Sequence, residues 1–330
     1  MNVLDWGISL IIFLQGLGDW LIPIMEGITF LGDEEFYLLL APIVYWCLDS
    51  TTGVRMGLIL MVSGCLNHIV KLAFHAPRPY WISTSVQAFD SETSFGIPSG
   101  HAQNSVAVWG SLAYWQRKPW AWIGAIALMF LIGISRLFVG VHFPTDTLLG
   151  WGIGLVVLWG YLRIEPHAQT WLWKRSLKEQ VLLALGASLL TILVSFLVRF
   201  ALGDWQVPSQ WIQTAAAALP DAEPIAPLAQ SGIVSNAAAF FGLAAGALWM
   251  RHRGGFSTRG PSWQLAARYF LGVAGVLLVW RGLAMIFPGG ENFVGYLFRY
   301  IRYTLIGIWV TGVAPWLFIR FKLAKTLQSV

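Results

Sequence analysis

The sequence predicts an all-α, polytopic membrane protein, a helical bundle of about 9–10 transmembrane helices. Three observations carry that reading. Of 330 residues, 57% are hydrophobic and only 11% are charged, whereas a soluble globular domain carries about 25% charged residues. The apolar residues gather into runs of about 20, the length of helix that crosses a bilayer. No strand-type alternation or short internal repeat breaks the pattern.

The spans fall, in order, near residues 36–48 (a short one), 53–74, 101–116, 119–137, 145–163, 179–200, 230–250, 265–287 and 302–320. An earlier segment, 6–30, contains Gln15, Asp19 and Glu26, spaced four and seven apart, which share a face if the segment is one helix. That segment either spans or lies along the interface. Met1 to Asp5 holds no basic residue, so no cleavable signal peptide is expected. Cys47 and Cys65 lie in apolar runs and read as small core residues. The Ala-, Pro- and Gln-containing loop from Gly203 to Gly232 separates a front part bearing the unusual polar residues from a plainer hydrophobic back part. The expected division is 1–165, holding the polar stretches, and 166–330, additional helices.

Sidedness follows from the loops, because Lys and Arg concentrate on the cytoplasmic side. Of the 21 basic residues, fourteen fall in one set of loops: Arg55, Arg117, Lys118, Arg163, Lys174, Arg175, Lys178, Arg251, Arg253, Arg259, Arg268, Arg320, Lys322 and Lys325. The opposite side holds the acids of Gly32-Asp33-Glu34-Glu35, Asp90, Glu92, Asp204, Asp221 and Glu223. The net charge of +5 fits basic loops facing anionic membrane lipid, not nucleic acid. The expected location is a bacterial inner or plasma membrane.

Three stretches stand at predicted helix ends on the acidic, extracytoplasmic side: Lys71 with Arg78-Pro79, Pro98-Ser99-Gly100-His101, and Ser135 to Asp146. Singly, each has a structural reading: an interfacial cation, a helix N-cap, a His–Asp hydrogen bond. Jointly they suggest phosphoryl chemistry. Lys71, Arg78 and Arg136 are three cations without matching local acids, suited to a phosphate. The Pro98–His101 stretch opens a helix whose free N–H groups and Ser99 hydroxyl suit another phosphate oxygen, and Gly100 permits close backbone approach. Of His101 and His142, one can attack phosphorus and the other can protonate the leaving oxygen. Asp146, four residues after His142, can accept from its ring. A metal site is not expected, because the cluster is mainly cationic. His75 is a further candidate for lining the site.

These residues resemble the three-part signature of the type 2 phosphatidic acid phosphatase superfamily, which includes lipid phosphate phosphatases, glucose-6-phosphatase and soluble acid haloperoxidases. The likeness covers roughly 53–163, and high hydropathy excludes the haloperoxidase branch. It implies a six-helix phosphatase core with the site at one end. It implies His142 as nucleophile forming a phosphohistidine, Asp146 as its orienter and His101 as acid. It implies that Lys71, Arg78, Ser99, Gly100 and Arg136 bind phosphate, with no metal or cofactor. Leu31 to Asp49 is similar to the sphingosine-phosphate and dolichyl-diphosphate phosphatase branch. Leu66 to Trp81 is similar to glucose-6-phosphatase, from which the chain departs by keeping Asp146. Beyond about residue 165 the resemblance thins.

The expected activity is metal-independent hydrolysis of a phosphate monoester, a phospholipid or isoprenoid phosphate such as a sphingoid-base phosphate or phosphatidic acid. Polyprenyl diphosphate and sugar phosphate are the alternative substrates. A transporter or lipid-binding scaffold is the non-enzyme alternative, and the unbroken motifs count against it.

Overall fold

The structure, a computed structural model, describes residues 3–327; the ends of the two expected parts, 1–2 and 328–330, lie outside the described residues. The described residues form helices and connecting loops, with no strand among them. Helices α1 (Val3–Gln15), α2 (Ile22–Phe30), α3 (Glu34–Ile43), α4 (Ser50–Phe74), the short α5 (Pro79–Ile82), α6 (Gly100–Gln116), α7 (Pro119–Phe138) and α8 (Pro144–Leu172) make the front of the chain. Then come α9 (Leu177–Ala201), α10 (Ser209–Ala218), α11 (Ser231–His252), α12 (Ser262–Ile286), α13 (Phe293–Ile308) and α14 (Ala314–Arg320).

Seven helical stretches among the described residues are long and apolar enough to cross a membrane, or up to eight if a bent pair at the start counts as one. The expectation was about 9–10. The difference lies in short elements: α6 has 17 residues, several of them polar, and α3 has 10 with Pro42 inside. The first segment also departs from expectation. It is not one helix but two, bent by 88° at a break around Gly16–Gly18. Gly18 takes φ 121, a conformation other residues avoid. The shared face of Gln15, Asp19 and Glu26 is thereby lost. Gln15 donates to Gln87 O and Phe138 O, both at 2.8 Å, while Asp19 and Glu26 are exposed.

The described chain packs into two compact units that are not contiguous in sequence: 3–36, 66–159 and 195–229 form one, and 37–65, 160–194 and 230–327 the other. In the first, α6 runs against α8 at a small-residue crossing of the kind that lets membrane helices approach closely. A Cβ on Gly150 would fall 2.6 Å from Ser99 O, and one on Gly154 2.7 Å from Gln103 O. The Ser99 amide donates to Asp146 O at 3.0 Å, joining the start of α6 to the start of α8. An apolar cluster including Trp81, Phe95, Phe138 and Phe143 packs around these ends.

In the second unit, α11 crosses α13 through Gly242 and Gly307, with backbones in contact. Arg268 is fully buried and donates to five carbonyls, those of Trp46, Ser257, Thr258, Arg259 and Leu323. That guanidinium closes the ends of several segments without a carboxylate.

Candidate active site

The three polar stretches meet in the first unit, where the ends of α4, α6, α7 and α8 converge. The turn from Ser135 to His142 explains how. Gly140 has φ 79 and lets the chain reverse sharply, so that the Val141 and His142 amides donate to Arg136 O at 3.3 Å. Pro144 then starts α8 at a position where its missing N–H costs nothing, which puts Asp146 in the first turn.

His142 is fully buried and held at both nitrogens. Its Nδ1 lies 3.2 Å from Asp146 Oδ2, and Arg78 Nη1 lies 3.1 Å from its Nε2. A guanidinium only donates, so Nε2 accepts and the ring proton sits on Nδ1, facing the carboxylate. Asp146 Oδ2 also accepts from the Phe143 amide at 2.9 Å. Burial, with Arg78, Lys71 and Arg136 nearby, holds the His142 imidazole well below its ordinary pKa range. The resting ring is neutral, with its lone pair on Nε2.

The cations are all withdrawn from water. Arg78 and Arg136 are fully buried and Lys71 is 8% exposed. Lys71 donates to Ser94 Oγ at 2.8 Å. Arg78 also reaches Ser94 O at 2.7 Å, Val141 O at 3.0 Å and Phe95 O at 3.1 Å. Arg136 Nε is buried with no hydrogen-bond partner. Ser99 is fully buried and caps α6, accepting from the Ala102 amide at 3.4 Å. Gly100 sits beside Asn67, whose amide donates to Gln103 Oε1 at 2.9 Å.

One premise is overturned: the cations do have acid partners. The loop 83–98 folds back over them. Glu92 bridges both arginines, with Oε2 3.3 Å from Arg78 Nη2 and Oε1 2.7 Å from Arg136 Nη2. Asp90 accepts from Arg136 Nη1 at 2.8 Å. Burial alone would raise the Glu92 carboxyl, but Arg78, Arg136 and Lys71 together hold it below the ordinary carboxylate range. The acids were visible on the same side as the cations, but nothing in the loop's spacing pairs them. The loop is pinned by the Tyr80 hydroxyl, which donates to Glu92 O at 3.0 Å, and by the Phe89 amide on Val139 O at 3.1 Å.

His101 is partly exposed, and its Nε2 lies 2.5 Å from Asp33 Oδ1; Asp33 was read only as part of an acidic loop. His75 packs its ring on Trp205 and Phe95, with centroids 5.1 and 6.4 Å apart, one helical turn beyond Lys71. Most of the 203–232 loop, read as a divider, belongs to the unit that holds the site, which takes in 195–229. Within it the Ala226 amide donates to Thr93 O at 3.0 Å, and Trp211 lies against Trp81. Arg281, Arg299 and Arg302 belong to the other unit, against Trp280, Ser235 and Tyr303.

An all-helical bundle of membrane-spanning length, with a buried His–Asp pair ringed by cations at its helix ends, defines a polytopic membrane enzyme built to handle an oxyanion. Comparisons with known proteins give the particular family. The PAP2 superfamily model matches residues 52–170, and the model of the PAP2 superfamily phosphatase transmembrane extension matches 234–326. Phosphatidylglycerophosphatase B of Bacillus subtilis is 32% identical over 151 residues, covering 42% of this chain and 72% of that protein. Glucose-6-phosphatase 3 of Bos taurus is 27% identical over 358 positions, covering 96% of this chain and 95% of the relative. A crystal structure of a transmembrane PAP2-type phosphatidylglycerolphosphate phosphatase from Bacillus subtilis is 28% identical, covers 51% of this chain and 88% of its own, and has a TM-score of 0.43. The chain belongs to the PAP2 superfamily, and it is a multi-span integral membrane phosphatase. The likeness also runs past residue 165, where the sequence reading has it thin.

Proposed function

We propose that this phosphatase hydrolyses a phosphate monoester of a lipid through a phosphohistidine on His142, at the extracytoplasmic face of a bacterial inner or plasma membrane. The observation that carries the reading is the His142 tautomer: Asp146 accepts a hydrogen bond from Nδ1–H, and the Nε2 lone pair points to a guanidinium that suits a phosphate oxygen. On substrate entry Nε2 attacks phosphorus, and Arg78 transfers its hydrogen bond to the phosphoryl group. Lys71, Arg78, Arg136, Ser99 and the Gly100 amide hold the remaining oxygens, where charge grows in the transition state. His101 gives a proton to the leaving oxygen, then takes one from the water that cleaves the phosphohistidine.

A lipid is favoured because the site lies at the ends of membrane-length helices. The name of the Bacillus relative, a phosphatidylglycerophosphatase, supports the same class. A second reading, a sugar phosphate, is favoured by the glucose-6-phosphatase that aligns over 96% of the chain. Phosphate release by purified protein in detergent with EDTA separates them. The panel is phosphatidic acid, phosphatidylglycerophosphate, sphingosine phosphate, polyprenyl diphosphate and glucose 6-phosphate. Release from a lipid monoester, abolished by His142→Ala in a folded protein, is the expected result. Preference for glucose 6-phosphate would replace the lipid reading, and undiminished release by His142→Ala would remove the nucleophile.

A further inference from the structure

His101 rests in a seat that lies outside all three polar stretches. Asp33, 68 residues earlier between α2 and α3, places Oδ1 2.5 Å from His101 Nε2. The residue before it forms the floor of the seat: a Cβ on Gly32 would fall 3.1 Å from His101 Cδ2 and 2.7 Å from Ile132 Cγ2. The turn carrying both is fixed, since the Gly32 amide donates to Thr29 O at 2.8 Å and the Asp33 amide to Phe30 O at 3.1 Å. Thr29 in turn shares a hydrogen bond with Ser135 at 2.8 Å, one residue before Arg136. Turn, acid and ring are thus tied to the helix end that carries Arg136. A purely structural pair needs no such confinement, and neither partner is fully buried, with side chains 29% and 15% exposed. The arrangement repeats the one at His142: one imidazole, one carboxylate on one of its nitrogens.

We propose that Asp33 is the positioning residue for proton transfer to and from the substrate's oxygens. It accepts from His101 Nε2–H, fixes the ring and the tautomer, and leaves Nδ1 as the atom that exchanges a proton. As the bond from phosphorus to the leaving oxygen breaks and the bond to His142 forms, that oxygen takes the Nδ1 proton of the His101 imidazolium. When water attacks, Nδ1 takes one of its protons, the phosphorus–nitrogen bond breaks, and the imidazolium is restored. Asp33 stays a carboxylate throughout. This inference rests on His101 acting as the acid proposed above.

The test uses the full chain in detergent with two probes, octyl phosphate and p-nitrophenyl phosphate. An alkoxide departs only with a proton, whereas p-nitrophenolate departs without one. Asp33→Asn keeps the size of the side chain but turns an amide toward the ring. It should lower kcat/KM, which reports formation of the phosphohistidine and not its hydrolysis, on the order of a hundredfold for octyl phosphate, with much less loss for p-nitrophenyl phosphate. Asp33→Glu should restore part of the loss. Gly32→Ala, which crowds the ring without touching a charge, should give the same leaving-group-dependent loss. His101→Asn is the reference: it should show that dependence more strongly. If it does and Asp33→Asn lowers kcat/KM equally for both probes, Asp33 is structural and the inference is overturned. If His101→Asn itself lowers kcat/KM equally for both probes, the acid reading beneath it falls.

Discussion

At His142 the two nitrogens have different partners, so removing each partner should leave a different signature. Asp146→Asn takes away the acceptor that keeps the proton on Nδ1. By the logic of catalytic triads it should cost on the order of a thousandfold in kcat with modest change in KM, read from steady-state kinetics. The low pKa of His142 sets a pH expectation as well. Attack needs the neutral ring, which burial and three cations preserve well below the ordinary imidazole range. Any acid limb in kcat/KM due to His142 should therefore lie below that range. Glu92 behaves in the opposite sense. Its carboxylate occupies the donors of Arg78 and Arg136 that a phosphate would use. Glu92→Gln should let inorganic phosphate or vanadate bind about tenfold tighter, about 1.4 kcal/mol, measured as an inhibition constant. A carboxyl whose folded pKa is depressed adds stability above its unfolded value, and loses it as pH falls through the folded one. The wild-type melting temperature should thus drop on acidification below the ordinary carboxylate range, and Glu92→Gln should flatten that drop.

Helices explain both what the sequence disclosed and what it concealed. Runs such as 53–74, 179–200 and 265–287 reappear as Ser50–Phe74, Leu177–Ala201 and Ser262–Ile286, because twenty apolar residues have few other solutions in lipid. The polar stretches were legible for a related reason: charged groups at the ends of such runs are conspicuous. The bend at Gly16–Gly18 was not legible, since glycines in a helical pattern are usually tolerated. Nor were Glu92 on its arginines and Asp33 on His101, because loop pairings across 44 and 68 residues have no period to read. The α6–α8 crossing gives the prediction at this scale. Gly150→Ala puts a methyl 2.6 Å from Ser99 O. It should cost about 1–3 kcal/mol through overpacking and depress activity by shifting Ser99 relative to Asp146. Gly152, with nothing within 4 Å of a Cβ, is the internal control: Gly152→Ala should leave melting temperature and turnover unchanged.

For the whole molecule, the cytoplasmic assignment of the basic loops can be checked by labelling. In a cysteine-free background that replaces Cys47 and Cys65, a cysteine at exposed Ser85 should react with an impermeant maleimide added outside intact cells. One at exposed Lys174 should react only after the membrane is opened. The reverse pattern would place the site on the cytoplasmic face.

The unit that holds the site draws on 195–229 as well as on 66–159. That matters for the order in which a ribosome delivers the protein. By the time Asp146 has been synthesised, Lys71, Arg78, His101 and His142 already exist, so the chemical inventory is complete. Trp205, Trp211 and Ala226, which brace His75, Trp81 and the carbonyl of Thr93, follow only after the 25 residues of α9. A nascent chain paused between these points would carry its full set of reactive groups while the loop bearing Glu92 still lacked its last brace. Biosynthesis therefore passes through a stage at which the site is fully written but not yet closed.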